Sequence, residues 1–316
     1  GLAVPLVASI STTLAARHGF LVRNRLALEI ARQVNVVLYD KTGTLTKGEY
    51  GVTEIMTNDR LQVTSDQLLR MAASVDAHSE HFIARAIVAE AAKRDIVLLP
   101  VKDFKRLPGK GVEGEIENKK VMAGGENLLT EEKIEIPEEI REKAAGLANQ
   151  GKTIVYLLVE NQLIGLLALA DIIREESRSA IQDLKKIGVK VAMITGDSEG
   201  VAKWVAGELG IDEYFARVLP QEKSEKVKLL QSKGSKVAMV GDGINDALAL
   251  TEADLGIAIG AGTNVAIESA GIILMRSDPR DIVKIIRLSR ATYSKMIQNL
   301  FWATGYNVIA MPLAAG

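Results

Sequence analysis

Cysteine is absent from all 316 residues, which excludes disulfides, thiolate metal sites and cysteine nucleophiles within this chain and leaves its compartment open. Excess charge of either sign is also missing. The 39 basic and 40 acidic side chains are interspersed and sum to −1, so no nucleic-acid surface is expected. No cleavable signal sequence, internal repeat or low-complexity tract is visible. The chain opens at Gly1 inside an apolar segment, without an initiating methionine, and reads as a piece of something longer. Charge is locally absent near both ends. Residues 2–16 are apolar apart from serine and threonine, and residues 296–316 contain no charge at all. A helix of that second length rises about 31 Å, against a hydrocarbon core of about 30 Å. Both ends are therefore expected to be fragments of membrane helices joined by a large cytoplasmic loop; the alternative is a pair of buried core helices.

What is present begins with the apolar run 34–39 and the heptad that follows it, Asp40-Lys41-Thr42-Gly43-Thr44-Leu45-Thr46. A carboxylate at the carboxyl end of a buried strand, followed by a turn of glycine and small hydroxyl residues, can attack a phosphoryl group held by backbone N–H groups. Asp40 is thus the candidate covalent nucleophile. Soluble phosphatases of the haloacid dehalogenase type usually place a second aspartate two positions on, to protonate the leaving group and activate water. This chain has Thr42 there, which does neither well. An aspartyl-phosphate on Asp40 is expected to persist, as suits an enzyme that couples chemistry to a conformational cycle.

With 47% hydrophobic residues the chain is long enough for two cores, and the stretch separating the halves of the catalytic pattern points to an inserted domain. Strands are expected at 166–170, 189–194, 236–240, 255–259 and 271–275, alternating with helices at 177–187, 200–209, 222–232 and 244–252. Such alternation indicates a parallel sheet wrapped by helices, with ligands at the carboxyl edges of its strands. The intervening segment reads as α+β: one helical stretch over 65–93, then strands at 112–116, 120–123, 154–159 and 162–167, with turns at Glu117-Asn118 and Glu160-Asn161.

Three further elements join Asp40. Thr195-Gly196-Asp197 follows a strand and offers a hydroxyl and backbone N–H groups to a phosphoryl oxygen. Lys223, at the start of a helix, can neutralise charge on the transferring group; alone it would read as a solvated surface lysine. Gly241-Asp242-Gly243-Ile244-Asn245-Asp246 places two carboxylates in a glycine turn after a strand, a donor set for a hard cation such as Mg²⁺.

Taken together, Asp40 to Thr46, Asp171 with Arg174, Thr195 to Asp197, Lys223 and Gly241 to Asp246 resemble the signature set of P-type ATPases over nearly the whole chain. The resemblance implies a haloacid dehalogenase-like α/β phosphorylation domain with a parallel sheet and an inserted α+β nucleotide-binding domain, ATP as donor and Mg²⁺ as cofactor. It implies Asp40 as phosphate acceptor, with Asp40, Asp242 and the Thr42 carbonyl as Mg²⁺ ligands. Lys41, Thr42, Thr195, Gly196, Asp197, Lys223 and Asp246 complete the catalytic set, and Asp171 and Arg174 resemble the hinge. The implied boundaries are 1–32 for a membrane-helix end and extension, 33–48 and 170–290 for the phosphorylation domain, 49–169 for the nucleotide domain and 291–316 for the next membrane helix.

Within the insertion, Ser79-Glu80-His81 and Gly109-Lys110-Gly111-Val112-Glu113-Gly114 are similar to the nucleotide domain of heavy-metal ATPases, class IB. Asp76, Glu80, His81, Gly109, Gly111 and Gly124 are the ATP-binding residues this implies, the glycines letting backbone approach the nucleotide. The chain departs from the family in carrying Phe82 where proline is usual and Asp76 where glutamate is usual. His78 and His81 also have the spacing of a metal pair on one helix. Asn299, Tyr306 and Asn307 in the uncharged tail, with no lysine beside them, resemble the copper-transporting members, as does Arg23-Asn24-Arg25; those three tail residues are the expected contacts of transported copper. Lipid, an actuator domain carrying the Thr-Gly-Glu motif and further membrane helices are the implied partners. A soluble phosphatase with a cap domain, and a P-type ATPase for another cation, are the alternatives.

Overall fold

The computed structural model describes residues 13–58, 61–242, 245–260 and 268–314. The chain divides into two compact units, Gly1–Lys47 with Ile173–Gly316 and Gly48–Ile172.

The first unit is built on a seven-stranded sheet: β1 Phe20–Val22, β2 Val36–Asp40, β9 Lys190–Ile194, β10 Glu213–Phe215, β11 Val237–Gly241, β12 Leu255–Ile259 and β13 Ile272–Leu274, in the order β1-β13-β12-β11-β2-β9-β10. Every pairing is parallel except β1 with β13. Both faces of the sheet are covered, so the strands read as continuous apolar runs. Along β2, Val37 and Tyr39 enter one core cluster while Val36 and Leu38 enter the other. Fully burying one such side chain contributes about 1.5–3 kcal/mol. Asp40 continues the Val36–Leu38 parity. That face is covered by the helix Lys223–Ser232, through Val227 and Leu230, and by the helix Ala247–Glu252, through Ala249 and Leu250. After β2 the chain continues on one side with β9 and β10 and on the other with β11 to β13. Asp40 therefore ends the strand at the topological switch point, where ligands bind in open sheets.

The helix Arg280–Ala314 packs its first turns into this unit through Ile282, Val283, Ile285 and Ile286, and the Arg32 guanidinium lies 3.7 Å over the Tyr293 ring. Beyond that point Phe301, Trp302, Tyr306 and Val308 are exposed. Among the described residues, no helix is long and apolar enough to cross a membrane. Gln298, Asn299, Tyr306 and Asn307 interrupt the apolar character of the uncharged tail. Residues 2–12 lie outside the described residues.

The second unit carries a six-stranded sheet of β3 Thr46–Thr57, β4 Lys102–Leu107, β5 Gly111–Ile116, β6 Lys119–Gly124, β7 Thr153–Val159 and β8 Gln162–Ile173, ordered β3-β8-β7-β6-β5-β4. The turns Glu117-Asn118 and Glu160-Asn161 each hold two residues at positive φ and join β5 to β6 and β7 to β8, the geometry that matches strand twist in two-residue hairpins.

Two expectations are corrected here. Residues 166–170 belong to β8 of this sheet, not to the catalytic one: Leu167 and Leu169 enter one core cluster and Leu166 and Ala168 another, and burial on both faces produces the unbroken apolar run. The helical stretch 65–93 is two helices, Ser65–Asp76 and Phe82–Lys93. They are separated because the His81 side chain accepts the Ile83 N–H and so starts the second helix afresh.

Candidate active site

Asp40, Thr195 and Asp242 stand at one edge of the first sheet because Asp40 pairs with Ile194, the residue before Thr195, while Tyr39 pairs with Val240, two residues before Asp242. Lys223, the first residue of its helix, approaches from the face that Asp40 shares with Leu38. Its Nζ donates to Asp40 Oδ1 at 2.6 Å and to Asp246 Oδ1 at 2.6 Å. All three side chains are buried. Gly241 makes the arrangement possible, since a Cβ there would lie 2.1 Å from Asp246 Oδ2. Asp242 is set against the loop after Asp40, its Oδ2 being 3.7 Å from where a Cβ on Gly43 would stand.

The loop is held from below by its own carbonyls. Arg174 donates to the Gly43 and Thr46 carbonyls at 3.0 Å each, its backbone N–H donates to the Leu45 carbonyl, and the Ser177 hydroxyl donates to Leu45 as well. Lys41 pairs with Asp197 at 2.8 Å, while the Thr195 hydroxyl donates to the same Asp197 Oδ2 at 2.7 Å. Asp197 thereby orients both a cation and a hydroxyl beside the strand edge.

The charges do not balance. The Asp40 carboxyl is raised to about 7, by burial first and then by the Asp246 and, less strongly, Asp242 charges, with Lys223 opposing. Burial also raises Asp246, with Lys223 opposing. Burial would lower the Lys223 ammonium, but Asp40 and Asp246 together hold it above its ordinary value. Asp40 and Asp246 thus share one ammonium, the Asp242 charge acts on both, and Asp246 Oδ2 is buried without a hydrogen-bond partner. This donor set fits a hard divalent cation, which takes one or two carboxylates and fills its remaining positions with water and phosphate oxygens. Among the described residues no group of three or more His, Cys, Asp and Glu side chains is placed to hold a metal ion.

The second unit contains a cavity of about 580 Å³ lined by Asp76, His81, Gly109, Gly111 and Gly124, five of the six residues expected at a nucleotide. Glu80 does not line it and is exposed. Asp76 ends its helix with its carboxyl raised to about 7 by burial. Gly111 and Gly124 are cross-strand partners whose Cβ atoms would lie 1.9 Å from the Ala123 carbonyl oxygen and 2.0 Å from the Lys110 carbonyl oxygen. The lack of a side chain at both positions therefore permits the close strand-to-strand approach at the cavity wall. Ser79, Lys110 and Thr153 also line the cavity; Ser79 and Lys110 stand inside the two motifs without having been singled out as contacts, and Thr153 carried no signal.

The proposed metal pair is not formed on one helix. His78 packs its ring against Phe104 at 5.5 Å, in the break between helices, while His81 caps the second one. Asp171 accepts from the Gly48 N–H at 3.0 Å, tying the start of β3 to the end of β8. Asn24 caps the helix Arg25–Ala31 by accepting from the Leu26 N–H, and the Arg25 side chain lies outside the described residues. Asn299 and Tyr306 sit seven residues apart on one helix, with Tyr306 exposed. The side chain of Asn307, and Gly243 and Ile244, lie outside the described residues.

A family model of haloacid dehalogenase-like hydrolases matches residues 34–254. The copper-exporting P-type ATPase B of Archaeoglobus fulgidus is 54% identical over 316 residues, covering 100% of this chain and 45% of that protein. The crystal structure of a zinc-transporting PIB-type ATPase in its E2.Pi state is similar with a TM-score of 0.87 at 33% identity, covering 99% of this chain and 50% of that one. The catalytic domain of the CPx-ATPase CopB-B gives a TM-score of 0.59 at 30% identity, covering 87% of this chain and 98% of that domain. The chain spans about half the length of the curated relatives it matches. With Asp40 at the switch point, Thr42 two residues on and Lys223 bridging two carboxylates, the chain belongs to the haloacid dehalogenase-like hydrolases and, within them, to the PIB-type P-type ATPases.

Proposed function

We propose that this chain is the ATP-using phosphorylation core of a copper-exporting membrane ATPase. The observation that carries the reading is the Lys223 ammonium 2.6 Å from both Asp40 and Asp246, beside a loop that lacks an acid two residues after the nucleophile. The ATP base and ribose occupy the cavity around Asp76, His81 and Gly109. An Asp40 carboxylate oxygen attacks the γ-phosphorus, the bond from that phosphorus to the β–γ bridging oxygen breaks, and ADP leaves. Lys223 neutralises charge on Asp40 before attack and on the transferring group during it. Thr195 and the Gly196 backbone hold a phosphoryl oxygen, and Asp197 keeps Thr195 and Lys41 in place. Asp40, Asp242 and the Thr42 carbonyl would hold Mg²⁺, which supplies Lewis-acid stabilisation of phosphoryl oxygens. Asp171 and Arg174 serve as the hinge, each fixing one side of the strand crossings at 47–48 and 172–173.

Copper as cargo is supported by the named function of the Archaeoglobus fulgidus relative at 54% identity and by Asn299 and Tyr306 on one helix face. Lipid contact at the exposed end of the helix Arg280–Ala314, with the catalytic units on the cytoplasmic side, completes the reading, as do an actuator domain and further helices elsewhere in the whole protein. Zinc is the competing cargo, because a zinc-transporting structure shares the fold. The test is the lifetime of the intermediate. Incubation with γ-labelled ATP and Mg²⁺ yields an acid-stable, hydroxylamine-labile label that persists after excess unlabelled ATP is added; immediate release of all label as phosphate contradicts the reading and supports a soluble phosphatase.

A further inference from the structure

The helix Phe82–Lys93 starts at the cavity wall, and the manner in which its capping residue, His81, is held goes beyond capping alone. His81 has extended backbone, φ −65° and ψ 140°, and its Nδ1 accepts the Ile83 N–H at 3.3 Å. One such bond restrains a ring atom and leaves the ring plane free to turn. The plane is restrained from the other side: the Phe82 ring lies over the imidazole with centroids 4.5 Å apart and 29° between planes. Tyr50, from β3, meets the opposite partner edge-on, its ring 4.9 Å from that of Phe82 at 61°. Both distances fall in the range where aromatic pairs attract beyond their area burial.

Core packing does not explain these rings, because Phe82 is 46% exposed and Tyr50 is 38% exposed. Helix geometry does not explain Phe82 either. It occupies the first helical position, where an N–H needs no intrahelical partner and proline is tolerated, and the extended His81 backbone also suits a residue preceding proline. The backbone would accept proline or alanine at 82. What phenylalanine adds is a ring on His81, and His81 lines the cavity.

We propose that Phe82, braced by Tyr50, is a positioning residue that fixes the imidazole plane of His81 for contact with the nucleotide base. The inference rests on the reading of this cavity as the ATP site. It is tested on the full chain by calorimetric affinity for a non-hydrolysable ATP analogue. Phe82→Ala and Phe82→Pro each weaken binding about fivefold, since both remove the ring while the second keeps the backbone restrained. Tyr50→Ala weakens it in the same direction, and Phe82→Tyr, which retains the stacked ring, restores it. In a His81→Ala background Phe82→Ala costs nothing further, and in the native background it moves the His81 ring-proton resonances downfield, out of the shielding of the stacked ring, with the amide resonances of the helix in place. If His81→Ala weakens binding while Phe82→Ala and Phe82→Pro stay within about twofold of the native chain, the positioning role is overturned and the ATP site stands. If the native chain binds no analogue, the ATP reading itself is overturned.

Discussion

Lys223 Nζ lies 2.6 Å from a carboxylate oxygen of Asp40 and 2.6 Å from one of Asp246, with all three side chains buried. A single ammonium thus keeps two acids close together in a site that burial makes unfavourable for either charge. Lys223→Met removes it and leaves both carboxylates without their cation. Breaking a buried pair in this way costs about 3–5 kcal/mol, so the variant unfolds at lower denaturant, and its labelling from γ-labelled ATP falls at least about tenfold, as expected for loss of a charge that stabilises transfer. Native-like labelling by this variant would show that the ammonium is not needed.

Gly241 and Asp246 cannot both keep their places if residue 241 gains a side chain. In Gly241→Ala the new Cβ would stand 2.1 Å from Asp246 Oδ2, so Asp246 must withdraw from Lys223. The expected cost is about 1–3 kcal/mol of overpacking, with labelling reduced more than stability alone accounts for. Denaturation and labelling measured on one preparation separate the two effects.

The glycines of the nucleotide unit differ in what they tolerate. Gly109→Ala meets open space but must hold φ at +74°, which costs about 1–2 kcal/mol. Gly111→Ala drives a methyl group to 1.9 Å from the Ala123 carbonyl oxygen and is expected to separate β5 from β6, losing more than twice as much. Urea denaturation of the two variants orders them, and equal losses contradict the assignment.

Asp76 gives the second unit a stability that depends on pH. Its carboxyl rises from 3.8 to about 7 on folding, through burial. Between those values the folded chain keeps a proton that the unfolded chain has released, so stability is greatest below about 4, falls through the window and is lowest above about 7. Asp40 contributes with the same sign in the first unit. Asp76→Asn flattens the fall assigned to the second unit; an unchanged slope there contradicts the protonation of Asp76 in the folded state.

Thr42 governs the fate of the phosphorylated form. Thr42→Asp introduces an acid two residues after the nucleophile, in position to activate water. Its label is expected to decay at least about tenfold faster than that of the native chain in a chase with unlabelled ATP, while the native Thr42 carbonyl function is untouched because it belongs to the backbone.

Much of this was legible in the residues, and the limits have physical causes. The parallel sheet showed itself through apolar runs such as 36–39, because both faces are covered. The two hairpins were legible from Glu117-Asn118 and Glu160-Asn161, since few residue pairs adopt consecutive positive φ. β3 and β4 were missed: Lys102-Asp103-Phe104-Lys105-Arg106 is charged and largely exposed, and Gly48 and Gly51 break the alternation of β3. Residues 166–170 misled because a strand packed on both faces looks the same in either sheet. At the site, spacing announced Asp40, Asp242 and Asp246 but not the Arg174 contacts to the Gly43 and Thr46 carbonyls, which involve backbone acceptors and leave no trace in residue type.

The most direct measurement is acid-stable labelling from γ-labelled ATP by the native chain and by Asp40→Asn, followed by mapping of the modified peptide. The account predicts one labelled peptide, containing Asp40, and no label in the variant. Undiminished labelling of Asp40→Asn, or a label on any other residue, contradicts it.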